Sequence, residues 1–250
     1  MGDSEVKHGL ISNMISDSLG MSCHNLGLDG NNIYFQYGVL KELLNRYTPG
    51  IIIISESIAL EAESSVTSLF PYYYDFPGVK STVLEIAPGE KYRLLSKAYM
   101  YNSLILKIIP GIIRTEPDNG GYSPLISGQN RMNYDLVPDT VYFKGKSTAR
   151  SRSYYEKFVR LAVNSGCKVV ILNAPRFSYV LYHDGSKIDK VLEGDNVIYL
   201  EYENDPLFTG HSDLFYDEFH LTHQGAVILT NQIISDLRET IIESKDISSD

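Results

Sequence analysis

Pro49-Gly50-Ile51-Ile52-Ile53-Ile54 is the stretch on which the fold turns. The Pro-Gly pair stops a helix, because proline has no amide hydrogen to donate and glycine leaves helical geometry easily. Four β-branched residues then follow without a polar interruption. A strand with one wet face alternates apolar and polar residues, so an unbroken run means burial on both faces, as in the middle of a parallel sheet. Upstream, Tyr34, Tyr37, Leu40, Leu43, Leu44 and Tyr47 recur at helical spacing. Earlier still, Val6, Leu10, Ile11, Met14, Ile15 and Leu19 form a second helical stripe, with Gly20 placed to cap it and Ser22 to Leu26 reading as a short strand.

The same alternation returns downstream: a helix over Tyr154 to Asn164, a buried strand at Lys168 to Leu172, and a weaker strand at Asn196 to Leu200. A last amphipathic helix covers Ala226 to Ile242, and a polar tail occupies 243–250. Strand–helix alternation with Gly-marked turns predicts one α/β domain over residues 1–250, a flavodoxin-like three-layer α/β/α arrangement around a mainly parallel sheet. Such sheets carry their sites beyond the carboxyl ends of the strands. The segment at about 58–150 breaks the pattern, with one helix at Lys91 to Ile109 between long irregular stretches. It reads as an insertion or lid.

Composition narrows the function classes. The chain has 250 residues, 43% of them hydrophobic, enough for a sizeable core. Its 31 acidic against 22 basic residues give a net charge of −9, and the basic residues are not clustered, which argues against a nucleic-acid partner. Cys23 and Cys167 lack metal-type spacing and read as free thiols. No apolar run reaches membrane-spanning length and no signal peptide opens the chain, so no membrane contact is expected of the chain itself. Gly27 to Asn32 fits a G-x-G-x-x-G loop poorly, which counts against a flavin or nucleotide binder.

Three places put unusual polar residues at expected strand ends. Gly2-Asp3-Ser4 precedes a helix, where serine serves either as an N-cap or as a nucleophile helped by nearby amides. In the turn Asn25 to Asn31, glycine either makes the turn or lets a backbone N–H approach an oxyanion. Asp217-Glu218-Phe219-His220 spaces a carboxylate and an imidazole so that one orients the other towards a serine. A capping histidine or a two-ligand metal site are the alternatives, and no third ligand has suitable spacing. His223 is a competing base, read here as a surface residue of the helix start.

In order, spacing and context these blocks resemble the SGNH (GDSL-like) hydrolase superfamily, in particular uncharacterised membrane-anchored bacterial members. The resemblance implies Ser4, His220 and Asp217 as a catalytic triad. It implies an oxyanion hole from the backbone N–H groups of Ser4 and Gly30, with no metal and no cofactor. Asp3, Asn31, Asn32 and Glu56 are further candidates for lining the site. Two departures stand out. The family's third block supplies an oxyanion Asn after the third strand, where this chain has Ser55-Glu56-Ser57. Asn31 or Asn32 is the replacement amide on offer, and Glu56 is left to orient His220 or to bind a substrate hydroxyl. The family's strand before the nucleophile is also not seen, since only Met1 stands there. A truncated start accounts for this better than a sheet built without the strand.

The function so implied is a serine esterase or acyl hydrolase, a carboxylic ester hydrolase acting on O-acyl, chiefly acetyl, groups of carbohydrate or cell-envelope glycan. Its partner would be a glycan or small-molecule ester. The relatives place it as an extracytoplasmic domain of a longer membrane-anchored or secreted bacterial protein. The alternative is a catalytically silent SGNH-like domain that binds a glycan or a partner protein. Tyr72, Tyr73, Tyr74, Tyr99, Tyr101 and Tyr122 are either a sugar-stacking lid or ordinary packing residues, with packing the favoured reading.

Overall fold

The structure is a computed structural model, which describes residues 1–60, 66–101, 119–125, 138–143, 148–182 and 194–246. Three parallel strands, β1 (Ile51–Ser55), β3 (Lys168–Asn173) and β5 (Val197–Glu201), pair in the order β1-β3-β5. Ile52 sits opposite Val169, and Val169 opposite Val197. The unbroken apolar runs have the expected cause. Val169 and Ile171 enter one core, with Ile52, Ile54, Leu40 and Phe158, whereas Val170 and Leu172 enter another, with Val6, Leu229 and Ile233. Helix α3 (Ile33–Leu44) and α8 (Ala149–Asn164) supply the first core, and α1 (Ser4–Gly9) and α9 (His223–Asp246) the second. The fold is therefore mixed α/β, with helices on both sides of a parallel sheet.

The expected helix over Val6 to Leu19 is two helices, α1 and α2 (Ser12–Leu19), with Leu10 and Ile11 extended between them. Tertiary bonds explain the break. The Asn25 amide donates to the carbonyls of Val6 and Leu10 at 2.7 and 2.8 Å, and the Ile11 N–H donates to Thr230 Oγ1 at 3.1 Å. Gly20 caps α2 with φ 65°, as its position suggested. Ser22 to Leu26 is not a strand, and a single bridge between Gly2 and Gly27 stands nearby.

Met1 and Gly2 lie beside β1 and pair with it in the manner of a sheet. The Met1 ammonium donates to Ile53 O at 2.6 Å, and Ser55 N–H donates to Met1 O at 3.2 Å. On the other side Leu28 N–H donates to Gly2 O at 3.2 Å, and Gln36 Nε2 donates to the same oxygen at 2.6 Å. Beside these two residues a cavity of about 620 Å³ runs along Ile51–Ile53, walled by Val6, Leu10, Ile15 and Leu19.

The middle segment holds more regular structure than its composition suggests. Helix α4 (Ser57–Leu60) follows β1, and α5 (Pro77–Ile86) opens on a proline, which suits the first helical position. The expected helix from Lys91 starts as α6 (Glu90–Arg93) and α7 (Lys97–Tyr101), because the Ser96 hydroxyl accepts the Tyr99 N–H and begins a new helix. Its continuation to Ile109, with 61–65, 126–137 and 144–147 of the expected insertion, lies outside the described residues. A second parallel pair, β2 (Thr140–Phe143) and β4 (Tyr179–Tyr182), has no counterpart in the sequence reading. Helix α9 reaches Asp246, so the expected tail begins as helix, and 247–250 lie outside the described residues.

Asn32 caps α3, its side chain accepting the Tyr34 and Phe35 N–H groups at 2.9 and 3.2 Å. Asn32→Ala is expected to cost about 1 kcal/mol, read as a lower urea midpoint at an unchanged slope.

Candidate active site

Three residues at the start of α1 divide the polar work. Asp3 is the N-cap: one carboxylate oxygen accepts the Glu5 N–H at 3.0 Å, and the other accepts the Ser57 hydroxyl at 2.7 Å. Ser57 opens α4 just beyond β1, so the cap also fixes α1 to the carboxyl end of the sheet. With Asp3 as the cap, the capping reading of Ser4 falls away and its hydroxyl is available for another partner.

That partner is His220, whose Nε2 stands 2.7 Å from Ser4 Oγ. Its Nδ1 lies 2.8 Å from both oxygens of Asp217. An ionised carboxylate only accepts, so Nδ1 carries the proton and Nε2 is left to accept the serine hydroxyl. Asp217 also accepts the amides of Phe219 and His220 at 2.9 and 2.8 Å, which folds the turn around it. A bridge between Phe215 and Leu221, with Tyr216 N–H donating to His220 O at 2.7 Å, closes the loop before α9 begins at His223. His220 is therefore a loop residue, not part of a helix.

The surroundings drive the two titrations apart. Burial pushes Asp217 up, but hydrogen bonds from the His220 ring and the Phe219 amide outweigh it and hold the carboxyl at about 2. Burial pushes His220 down, and the hydrogen bond and charge of Asp217, helped by Glu5 and Asp3, raise it above its ordinary value. The side chains of His220 and Asp217 are 23% and 33% exposed, so a ligand can reach the pair. Such a Ser–His–Asp relay can generate an alkoxide-like nucleophile.

The turn expected to hold the oxyanion glycine runs Leu28-Asp29-Gly30-Asn31, closed by Asn31 N–H donating to Leu28 O at 3.2 Å. Gly30 has φ 65°, the left-handed geometry that the third position of a type II turn requires. Close backbone approach happens instead at Gly27, where an added Cβ would lie 2.5 Å from Lys7 N and 2.9 Å from Asp3 O. Asp29 locks the turn to α1 through Lys7 at 2.7 Å and His8 at 3.1 Å. The two asparagines differ. Asn32 caps α3, whereas Asn31 is 1% exposed and its Nδ2 has no hydrogen-bond partner among the described residues. Glu56 is 4% exposed, and its N–H donates to Leu172 O at 2.9 Å. Orienting His220, one role left open for Glu56, is taken by Asp217.

Three neighbours were not apparent in the sequence. The His8 ring meets His220 edge-on, with centroids 5.9 Å apart, and its nitrogens lie 2.6 Å from Ser123 O and 3.1 Å from Asp29. Glu5 pairs with Arg176 at 2.6 Å. Only the position of Glu5, immediately after Ser4, was a usable signal. His223 is exposed, as expected, and its Nδ1 lies 2.9 Å from the Tyr122 hydroxyl. Among the tyrosines, Tyr73 and Tyr122 are buried, and Tyr72 packs against Phe35 and Phe76. Among the described residues no three His, Cys, Asp or Glu side chains are grouped to hold a metal, and no helix is long and apolar enough to cross a membrane. Both cysteines are free.

Comparison with protein-family models, with curated proteins and with solved structures finds no match to this chain.

The depressed Asp217 carboxyl links stability to acid. Its pairing is fully present above the ordinary value of 3.8 and is lost as the pH falls towards about 2. Urea midpoints measured from pH 5 downwards should fall, and Asp217→Asn should flatten that fall.

Proposed function

We propose that the protein is a serine esterase, with Ser4 as nucleophile, His220 as general base and acid, and Asp217 as the group that orients and supports the imidazole. The observation that carries this reading is the unbroken chain of contacts from Ser4 Oγ through His220 to Asp217, at 2.7 and 2.8 Å. Ser4 Oγ attacks the ester carbonyl carbon while its proton passes to His220 Nε2. The tetrahedral intermediate collapses, and His220 returns that proton to the departing alcohol, leaving an acyl-serine. Water, deprotonated by His220, then adds to the acyl carbon, and its collapse releases the acid and restores Ser4.

The oxyanion is assigned to the backbone N–H groups of Ser4 and Gly30, each worth about 3 kcal/mol in such sites. Asn31 Nδ2, buried and with no partner among the described residues, is assigned as the amide that replaces the Asn not found after β1. Following the resemblance to SGNH hydrolases, the substrates proposed are O-acyl, chiefly acetyl, esters of carbohydrate.

Hydrolysis of p-nitrophenyl acetate and butyrate should be abolished in Ser4→Ala and His220→Ala, and a fluorophosphonate probe should label the wild type but not Ser4→Ala. Equal labelling of both proteins would overturn the assignment of Ser4. No turnover at any acyl length, together with measurable glycan binding, would replace the esterase by a binding domain. Asn31→Ala should lower kcat about a hundredfold with little change in melting temperature. Unchanged turnover would remove Asn31 from the oxyanion hole.

A further inference from the structure

Arg176 lies in the segment that leaves β3, and it touches three other segments. Its Nη1 donates to Glu5 Oε1 at 2.6 Å, with the two side chains 13% and 10% exposed. Its guanidinium carbon lies 5.0 Å from the centroid of Phe219, inside the Asp217–His220 turn. Its backbone N–H donates to Glu203 O at 3.2 Å, in the stretch after β5. One side chain thus bridges the residue next to Ser4 and the turn that carries His220.

A buried ion pair is by itself a weak source of stability. Burying two opposite charges costs several kcal/mol per ion, and well-packed apolar replacements are often as stable or more so. Glu5 Oε2 is also buried and accepts no hydrogen bond among the described residues. Burial pushes the Glu5 carboxyl up, and the Arg176 guanidinium at 2.6 Å pulls it back down and favours its ionised form. The groups facing His220 are Asp3 and Glu5 from α1, the edge of the His8 ring, and Asp217 from its own turn.

We propose that the Glu5–Arg176 ion pair is a positioning device, which holds the Ser4 end of α1 against the His220 turn and places a carboxylate where the imidazolium forms during turnover. This rests on the esterase reading of Ser4 and His220. Arg176 sets the distance between the two halves of the site. Glu5 lends negative charge to a ring that must take up a proton.

The test combines a histidine-ring NMR titration with turnover of p-nitrophenyl acetate, in the wild type, Glu5→Gln, Arg176→Lys and the double variant Glu5→Leu/Arg176→Met. In Glu5→Gln, His220 should titrate at lower pH, and the acid limb of the kcat/KM profile should move with it at unchanged KM. Arg176→Lys should keep most of the wild-type rate. The double variant should melt within a few degrees of the wild type yet lose at least about tenfold in kcat, since small misplacements of reacting groups cost this much or more. An unmoved His220 titration in Glu5→Gln, or a double variant as active as the wild type, would overturn the proposal. A wild type that neither hydrolyses esters nor labels at Ser4 would instead reject the esterase reading, while the titration still reports the coupling of Glu5 to His220.

Discussion

Two residues of backbone carry the geometry of the site. Met1 and Gly2 lie between β1 on one side and the Gly27–Leu28 turn on the other, paired through Ile53, Ser55 and Leu28. A chain held on both sides in sheet geometry has little freedom left, so the next residues leave the sheet at a defined point and in a defined direction. Asp3, Ser4 and Glu5 follow at once. If that pairing were lost, neither the Asp3 cap nor the Ser4–His220 contact would have a fixed frame.

From that frame the polar groups sort themselves by what each can satisfy. Asp3 faces two donors and becomes a cap, which leaves the serine hydroxyl to His220. Asp217 collects two backbone amides besides the imidazole, so it remains ionised under conditions where an ordinary carboxyl is protonated. Glu5, buried beside a single arginine, is pushed the other way. Carboxylates a few residues apart in space therefore carry different protonation behaviour, and His220 stands among them with a raised affinity for its proton. Environments that separate titrating groups in this way are characteristic of acid–base sites.

Legibility in the sequence followed the range of the forces involved. Ile51 to Ile54 and Lys168 to Leu172 were readable as buried strands because burial on both faces leaves no polar residue in the run. Gly20 and Gly30 were readable because left-handed backbone favours glycine. The helix stripe from Val6 to Leu19 misled at Leu10 and Ile11, where Asn25 and Thr230 replace the helical hydrogen bonds. β2 and β4 were not legible: each is four residues long, and the exposed Val141, Tyr142 and Tyr179 give no burial pattern to read.

Taken by itself, the sequence determined the strand–helix alternation and the local chemistry of the Asp217-x-x-His220 turn, because each depends on neighbours within one or two turns of chain, and the unbroken apolar runs, which record burial on both faces, pointed to a parallel central sheet. It also placed Gly2-Asp3-Ser4 at the start of a helix. Which polar residue would cap that helix, which asparagine would keep an open amide, and that Arg176 would meet both Glu5 and Phe219 were decided only by the tertiary structure. Those outcomes depend on groups distant in the chain, such as Asp3 and Ser57 or Glu5 and Arg176, that only the fold brings together. Burial then decides which of them is left without water and must find its partner in the protein.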